Sequence, residues 1–256
     1  LVKKESSNYS IASTAKVRTE HHDLKNSILN VLDRLSQKVN KQEIKRVVLS
    51  TTLVTNIIYE EKYEPVALIL IPGPGLNSEH LKYGEENIIL NGYIDHRGKE
   101  VKAASTQEIK AGLDQLAQKG IKKLAVVGKF SVRNPDKEEK VKKIIEEGDY
   151  DFETLTLGHQ LSGNLNYHRR VITAYFNTAV SSVHHNFIDS IKESLAERSI
   201  RADLYLLKSD GGTIDLNKSA DTPVETVNSG PAASIMGTMT LNQSSETGIA
   251  LDIGGT

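Results

Sequence analysis

The strongest constraint on the fold of this 256-residue chain is the alternation of short aliphatic runs with segments of helical periodicity, sustained from Arg46 to Leu207. Such a pattern requires helices packed on a largely parallel sheet, an α/β architecture. The first expected repeat is a compact βαβ unit. It has a strand at Arg46-Val47-Val48-Leu49, a helix from Thr51 to Glu60 opening on Ser50 or Thr51, and a strand from Val66 to Ile71 buried on both faces. Pro72-Gly73-Pro74-Gly75 closes it as a loop. A strand over Asn87–Asp95, a turn at Arg97-Gly98 and a return at Glu100-Val101-Lys102 read as a hairpin. Ser105 caps a helix that runs to Gln118 and ends at Gly120, followed by a strand over Lys123–Phe130. Asn134-Pro135 opens a helix ending near Gly148, and Phe152–Leu157 is a further strand. Before this module, residues 10–17 read as an exposed strand, and Leu24–Val39 as an amphipathic helix with Leu24, Ile28, Leu32 and Leu35 on one face.

The longest periodic segment spans about Asn166 to Glu197, with Ile172, Phe176, Val180, Val183, Phe187, Ile191 and Leu195 spaced by three and four. One continuous helix of that length would reach over ~45 Å at ~1.5 Å per residue, enough to cross between two lobes. A strand at Asp203–Leu207 follows, then a loop, Ser209-Asp210-Gly211-Gly212-Thr213, at its carboxyl end. Ser229-Gly230-Pro231 opens the last helix, with Pro in the first turn. The expected domain boundary lies near Gly158-His159, dividing residues 1–158 from 159–256.

Composition restricts function by exclusion. Hydrophobic residues make up 38% and charged residues 25%, as in globular domains. A net charge of −1 gives no basic field for nucleic acid or an anionic membrane. The absence of cysteine removes disulfides, thiolate metal sites and cysteine nucleophiles, and agrees with the cytoplasmic location expected here. The longest aliphatic run, Val66–Ile71, is far short of the ~20 residues that span a bilayer. The eight histidines show no metal-ligand spacing. His184 and His185 are adjacent on the long helix and point ~100° apart, so packing or surface roles are expected for them.

The chemistry concentrates in glycine turns. Gly248-Ile249-Ala250-Leu251 reads as a buried strand ending in Asp252-Ile253-Gly254-Gly255-Thr256, where two glycines let backbone N–H groups converge on an anion. Asp252 can orient Mg²⁺ or a water, and the Thr256 hydroxyl can meet a phosphate oxygen. An ordinary glycine turn closing a strand reads the same way, so this segment does not decide alone. Ser209, Asp210, Gly211 and Gly212 stand where ligand-facing loops of α/β sheets lie, and also form a sequence common in tight turns. Ser229 and Gly230 head a helix whose unpaired N–H groups would favour an anion. Thr51, Thr52 and Asn56 either line a substrate or cap and face solvent.

Taken in order, Thr51-Thr52-Leu53-Val54-Thr55-Asn56-Ile57-Ile58-Tyr59-Glu60, Gly92-Tyr93-Ile94-Asp95, Asn166-Tyr167-His168-Arg169-Arg170, Ser209-Asp210-Gly211-Gly212, Ser229-Gly230-Pro231-Ala232-Ala233 and Asp252-Ile253-Gly254-Gly255-Thr256 resemble the hydantoinase A/5-oxoprolinase family over nearly the whole chain. The resemblance implies an ATP-dependent enzyme of the actin-like, sugar-kinase-like superfamily. Its ribonuclease-H-like lobe elements would carry an inserted α/β module and a long connecting helix, and the chain would be a fragment incomplete at both ends. It implies opening of a cyclic amide such as a hydantoin or 5-oxoproline, in which ATP converts the amide, whose oxygen is a poor leaving group, into a phosphorylated imidate that water attacks more readily. Asp252 and Asp210 would be catalytic. Asp252 would also hold Mg²⁺ indirectly, while Gly254, Gly255, Thr256, Ser209, Gly211, Gly212, Ser229 and Gly230 would meet the nucleotide phosphates, with Thr51, Thr52 and Asn56 on the substrate side. Two further readings stay open, a subunit of an ATP-dependent ketone carboxylase with a second large subunit, and a non-catalytic nucleotide-binding module. Self-association is a further expected partnership. The chain departs from the family pattern in having Leu49-Ser50-Thr51-Thr52 in place of His-Gly-Thr-Thr, and in showing no first phosphate loop from Leu1 onward.

Overall fold

The computed structural model describes residues 1–256 except 6, 7, 19–23, 38, 242–248, 250 and 252–256. In chain order the elements are β1 (Val2–Glu5), β2 (Asn8–Ile11), α1 (Leu24–Ser36), β3 (Arg46–Leu49), α2 (Leu53–Tyr59), β4 (Val66–Ile71), β5 (Glu86–Ile89), β6 (Tyr93–Ile94) and β7 (Glu100–Lys102). Then come α3 (Thr106–Gln118), β8 (Lys123–Gly128), α4 (Asp136–Glu147), β9 (Thr154–Leu157), α5 (Gly158–Leu161), α6 (Tyr167–Glu197), β10 (Asp203–Leu207), β11 (Thr213–Asp215) and α7 (Ser229–Leu241). The expected α/β class holds. The chain forms two compact units, Leu53–Ser182 with Thr222–Val224, and Leu1–Thr52 with Val183–Asp221 and Glu225–Thr256.

The first unit is built on a parallel sheet of order β5-β4-β8-β9. Every residue of β4 and β8 is buried, because helices cover both faces. Ala67, Ile69, Ile71, Leu124 and Val126 face Ile109, Leu113 and Leu116 of α3 and Val141, Ile144 and Ile145 of α4. Val66, Leu68, Leu70, Ala125 and Val127 face the other way, onto Tyr167, Val171, Ala174, Tyr175 and Ala179 of α6. The second unit carries a three-stranded sheet of order β11-β10-β3 and a separate β1–β2 hairpin.

Several expected elements are corrected. Strands β3 and β4 do not form a βαβ unit, since they belong to different sheets and β3 pairs in parallel with β10, far along the chain. An aliphatic run specifies a strand but not its ladder partner. Helix α2 starts at Leu53, leaving residues 50–52 as a loop. The strand expected over Asn87–Asp95 divides at Gly92, whose φ of +153° lets the chain turn where a Cβ would meet the Ala104 nitrogen at 2.8 Å. Its first part, β5, joins the parallel sheet, while β6 and β7 form the expected hairpin. That turn is closed by the Asp95 carboxylate, which accepts from the N–H groups of Arg97 at 2.8 Å and Lys99 at 2.9 Å. The N-terminal strand lies earlier than expected, as β2 stops at Ile11 after pairing with β1 and residues 12–18 are in no strand. Strand β8 stops at Gly128 because Phe130 turns the chain with φ +62°. Of the strand expected at Gly248–Leu251, only Ile249 and Leu251 are described, both exposed and outside any strand.

The long helix is present as 31 residues, with 167–182 in one unit and 183–197 in the other. Its burial exceeds a single stripe. Val171, Ala174, Tyr175, Thr178 and His184 are buried, whereas Ile172, Phe176 and Val183 are half-buried. Among the described residues no helix is long and apolar enough to cross a membrane.

Candidate functional site

The second unit brings the separated motifs to one sheet edge. Because β3 and β10 run parallel, from Arg46↔Asp203 to Leu49↔Leu206, their carboxyl ends lie side by side. Two connections leave from that edge, residues 50–52 after β3 and residues 208–212 after β10. This is the edge at which α/β sheets bind ligands.

The connection after β10 is a tight hairpin turn, since Leu207 pairs with Thr213 of β11. Lys208 N–H donates to the Gly212 carbonyl at 2.8 Å, Gly211 N–H to the Lys208 carbonyl at 3.1 Å and Gly212 N–H to Asp210 Oδ1 at 2.8 Å. Gly211 has φ +82°, and a Cβ there would meet Met236 Cγ at 3.1 Å, so the turn lies close against α7. Asp210 is held below the usual carboxylate range, first by the Gly212 N–H and next by the Lys208 ammonium.

Helix α7 begins under the loop after β3. Ser229 is its first residue and is fully buried; its hydroxyl donates to the Thr51 carbonyl at 3.1 Å and lies 3.2 Å from Ser50 Oγ. Gly230 sits beside Thr52, with space for a Cβ 3.8 Å from Thr52 Cγ2. The N–H groups of Ser229 and Gly230 have no acceptor among the described residues. They precede the first intrahelical hydrogen bonds, at the positive end of the helix dipole.

Two residues not singled out from the sequence complete this edge. Lys208 Nζ lies 3.2 Å from Asp210 Oδ2 and 3.5 Å from Glu225 Oε2. The Glu225 carbonyl also accepts from Ser209 N–H at 2.8 Å. The only sequence signal was that Lys208 adjoins the Ser209 motif; its pairing with Glu225 exists only in the fold.

Thr51, Thr52, Ser209, Asp210, Gly211, Gly212, Ser229 and Gly230 are thus neighbours in one unit. Asn56 is half-buried in α2 and belongs to the other unit. Asp252, Gly254, Gly255 and Thr256 lie outside the described residues. Among the described residues no cluster of three or more His, Cys, Asp or Glu is arranged to hold a metal. Asp210 and Glu225 are both engaged by Lys208, which offsets part of their charge.

The first unit carries a buried polar node at the carboxyl ends of β8 and β9. Glu138, fully buried, accepts from Gly128 N–H at 2.7 Å and His159 N–H at 2.9 Å, with His159 Nδ1 at 2.6 Å. Arg170 donates to the carbonyls of Gly128 at 2.5 Å and Asn164 at 2.8 Å. The Glu138 hydrogen bond raises the pKa of His159. In the second unit, burial lowers that of His184 to about 4, with Nε2 3.1 Å from Ser219 Oγ. Both histidines have packing partners, as expected of His184.

Comparison with known proteins bears on this geometry. The hydantoinase/oxoprolinase N-terminal region matches residues 2–148, and the hydantoinase/oxoprolinase domain matches residues 170–256. The chain is 23% identical over 260 aligned positions to the acetophenone carboxylase gamma subunit of Aromatoleum aromaticum, covering 87% of this chain and 35% of that protein. An uncharacterized protein of Methanocaldococcus jannaschii is 25% identical over 144 positions, covering 55% of this chain and 20% of that protein. Among solved structures, nucleotide-free acetone carboxylase superposes with a TM-score of 0.74 at 15% identity, over 88% of this chain and 36% of that one. The ATP-dependent caprolactamase from Pseudomonas jessenii gives 0.66 at 19% identity, over 86% and 35%. The chain therefore spans about a third of the length of the first relatives it matches in sequence and in structure.

Proposed function

Because the chain belongs to the hydantoinase/oxoprolinase family, we propose that the edge formed by residues 50–52, the Ser209–Gly212 turn and the start of α7 binds phosphoryl oxygens of ATP in a whole protein that opens a cyclic amide. The observation that carries this reading is the meeting of three segments, distant in sequence, at the carboxyl ends of two parallel strands, where a helix start offers two N–H groups without acceptors among the described residues.

When bound, ATP supplies the phosphoryl group that makes an amide oxygen a better leaving group. In this proposal the N–H groups of Ser229 and Gly230 and the Ser209 hydroxyl hold phosphate oxygens, and Gly211 and Gly212 shape the turn that presents them. Asp210 fixes that turn. Asp252 would orient Mg²⁺ or its water, Gly254 and Gly255 would donate N–H groups, and Thr256 would meet a phosphate oxygen. Thr51 and Thr52 face the substrate. A division into residues 1–158 and 159–256 is supported by the matched segments, which end at 148 and resume at 170.

A second reading, a subunit of an ATP-dependent ketone carboxylase that works with another large subunit, is favoured by the likeness to the acetophenone carboxylase gamma subunit over 87% of the chain. ADP release by the full-length protein separates the two. Stimulation by hydantoin, 5-oxoproline or caprolactam supports the first reading, and stimulation by a ketone with bicarbonate supports the second. Failure to bind nucleotide at all would remove both.

A further inference from the structure

We propose that Lys208 is a positioning residue of this edge, offsetting part of the negative charge of Asp210 and Glu225 so that the edge can accept an anion. The inference rests on the phosphoryl-binding reading above and adds to it a residue that the family motifs do not contain.

Three observations converge on it. First, Lys208 Nζ bridges the two carboxylates, at 3.2 Å from Asp210 and 3.5 Å from Glu225, with its side chain three-quarters covered at 24% exposure. Second, the N–H groups of Ser209, Gly211 and Gly212 are engaged by the Glu225 carbonyl, the Lys208 carbonyl and Asp210 Oδ1. The field that the turn presents is therefore set mainly by side chains, and these are two anions and one cation. Third, Glu225 grips the turn twice, through its carbonyl to Ser209 and through its carboxylate to Lys208. Removing the ammonium would leave two carboxylates facing a phosphate, and repulsion between like charges a few ångströms apart is substantial where solvent is partly excluded. The ammonium keeps its charge throughout the neutral range, since both carboxylates raise its pKa, Asp210 most.

The test uses the full-length protein and reads the ATP KM, kcat and thermal unfolding of K208M, K208R, E225Q and K208M/E225Q. The expected result is about a tenfold rise in ATP KM for K208M, corresponding to ~1.4 kcal/mol. K208R should stay within about threefold of wild type, since it preserves the charge but not the shape. Adding E225Q to K208M should recover at least about half of the loss, because it removes one of the exposed anions. A merely structural lysine predicts the reverse pattern, a lowered unfolding temperature with unchanged KM in the folded fraction and no recovery in the double variant. If K208M does not fold, E225Q decides alone: the proposal requires its ATP KM to fall by about twofold or more, and an unchanged or raised value overturns it. Wild-type protein that binds ATP while K208M binds it equally well overturns this inference but not the phosphoryl-binding reading. Wild-type protein that binds no nucleotide overturns both.

Discussion

At the scale of single residues, the structure gives known types new partners. Ser229 was legible as the start of a helix, but its hydroxyl reaches the Thr51 carbonyl and Ser50, 178 and 179 positions away in the chain. Ser229→Ala should therefore cost about 1–2 kcal/mol, the usual penalty for stranding a buried hydrogen-bonding group, readable by denaturant unfolding. Two histidines set the pH dependence from opposite sides. His159 has a folded pKa raised above 6.5 by Glu138, so its stabilisation is complete below pH 6.5 and is lost as pH rises through the raised value. Unfolding free energy of the wild type should decline as pH rises above 6.5 through that value, and His159→Gln should lack the decline. His184 has a folded pKa of about 4, so between pH 6.5 and 4 the unfolded chain takes a proton that the fold refuses. Stability should fall over that acid range by on the order of 3 kcal/mol, and His184→Asn should flatten this limb if the buried imidazole is responsible.

At the scale of elements, the β10–β11 hairpin depends on one backbone conformation. Gly211 combines φ +82° with an approach to Met236 that leaves 3.1 Å for a Cβ. Gly211→Ala should destabilise by about 1–2 kcal/mol, and Met236→Ala in the same chain should restore only the steric part, because the φ penalty remains. Thermal unfolding of the single and double variants checks both statements. In the other unit, Leu68 of β4 is buried against α6, so Leu68→Ala should cost about 2–5 kcal/mol through lost transfer energy and a residual cavity. The helices of this unit were largely legible because caps and breakers are local. Ser105 accepts from Glu108 N–H at 3.0 Å, Asn134 from Asp136 N–H at 2.9 Å, and Gly120 turns the chain with φ +71°.

At the scale of the whole molecule, activity is proposed for a protein of which this chain matches about a third of each of the first relatives. The isolated 256-residue chain should bind ATP weakly and show no steady hydrolysis, because phosphoryl transfer needs all its donors in place at once. Robust Mg²⁺-dependent turnover by the isolated chain would contradict this. In the full-length protein, Asp252→Asn should lower ATP-coupled turnover by on the order of 10²-fold with little change in unfolding temperature. The amide preserves turn hydrogen bonding while removing the charge. Wild-type turnover in that variant would remove Asp252 from the proposed machinery.

By itself the sequence determined the α/β class, the fully buried β4 and the long helix at Tyr167–Glu197, because periodicity, caps and apolar runs act over a few residues of neighbouring chain. It also marked the Ser209–Gly212 and Ser229–Gly230 segments, whose glycine and serine chemistry is local. Only the tertiary structure decided which strands share a sheet. It took β3 away from β4 and paired it with β10, and so brought Thr51 beneath Ser229 and opposed Lys208 to Glu225. The physical reason is that a strand exposes the same N–H and C=O groups to any partner. Long-range pairing is chosen by the packing of whole faces, and no short stretch of sequence contains that choice.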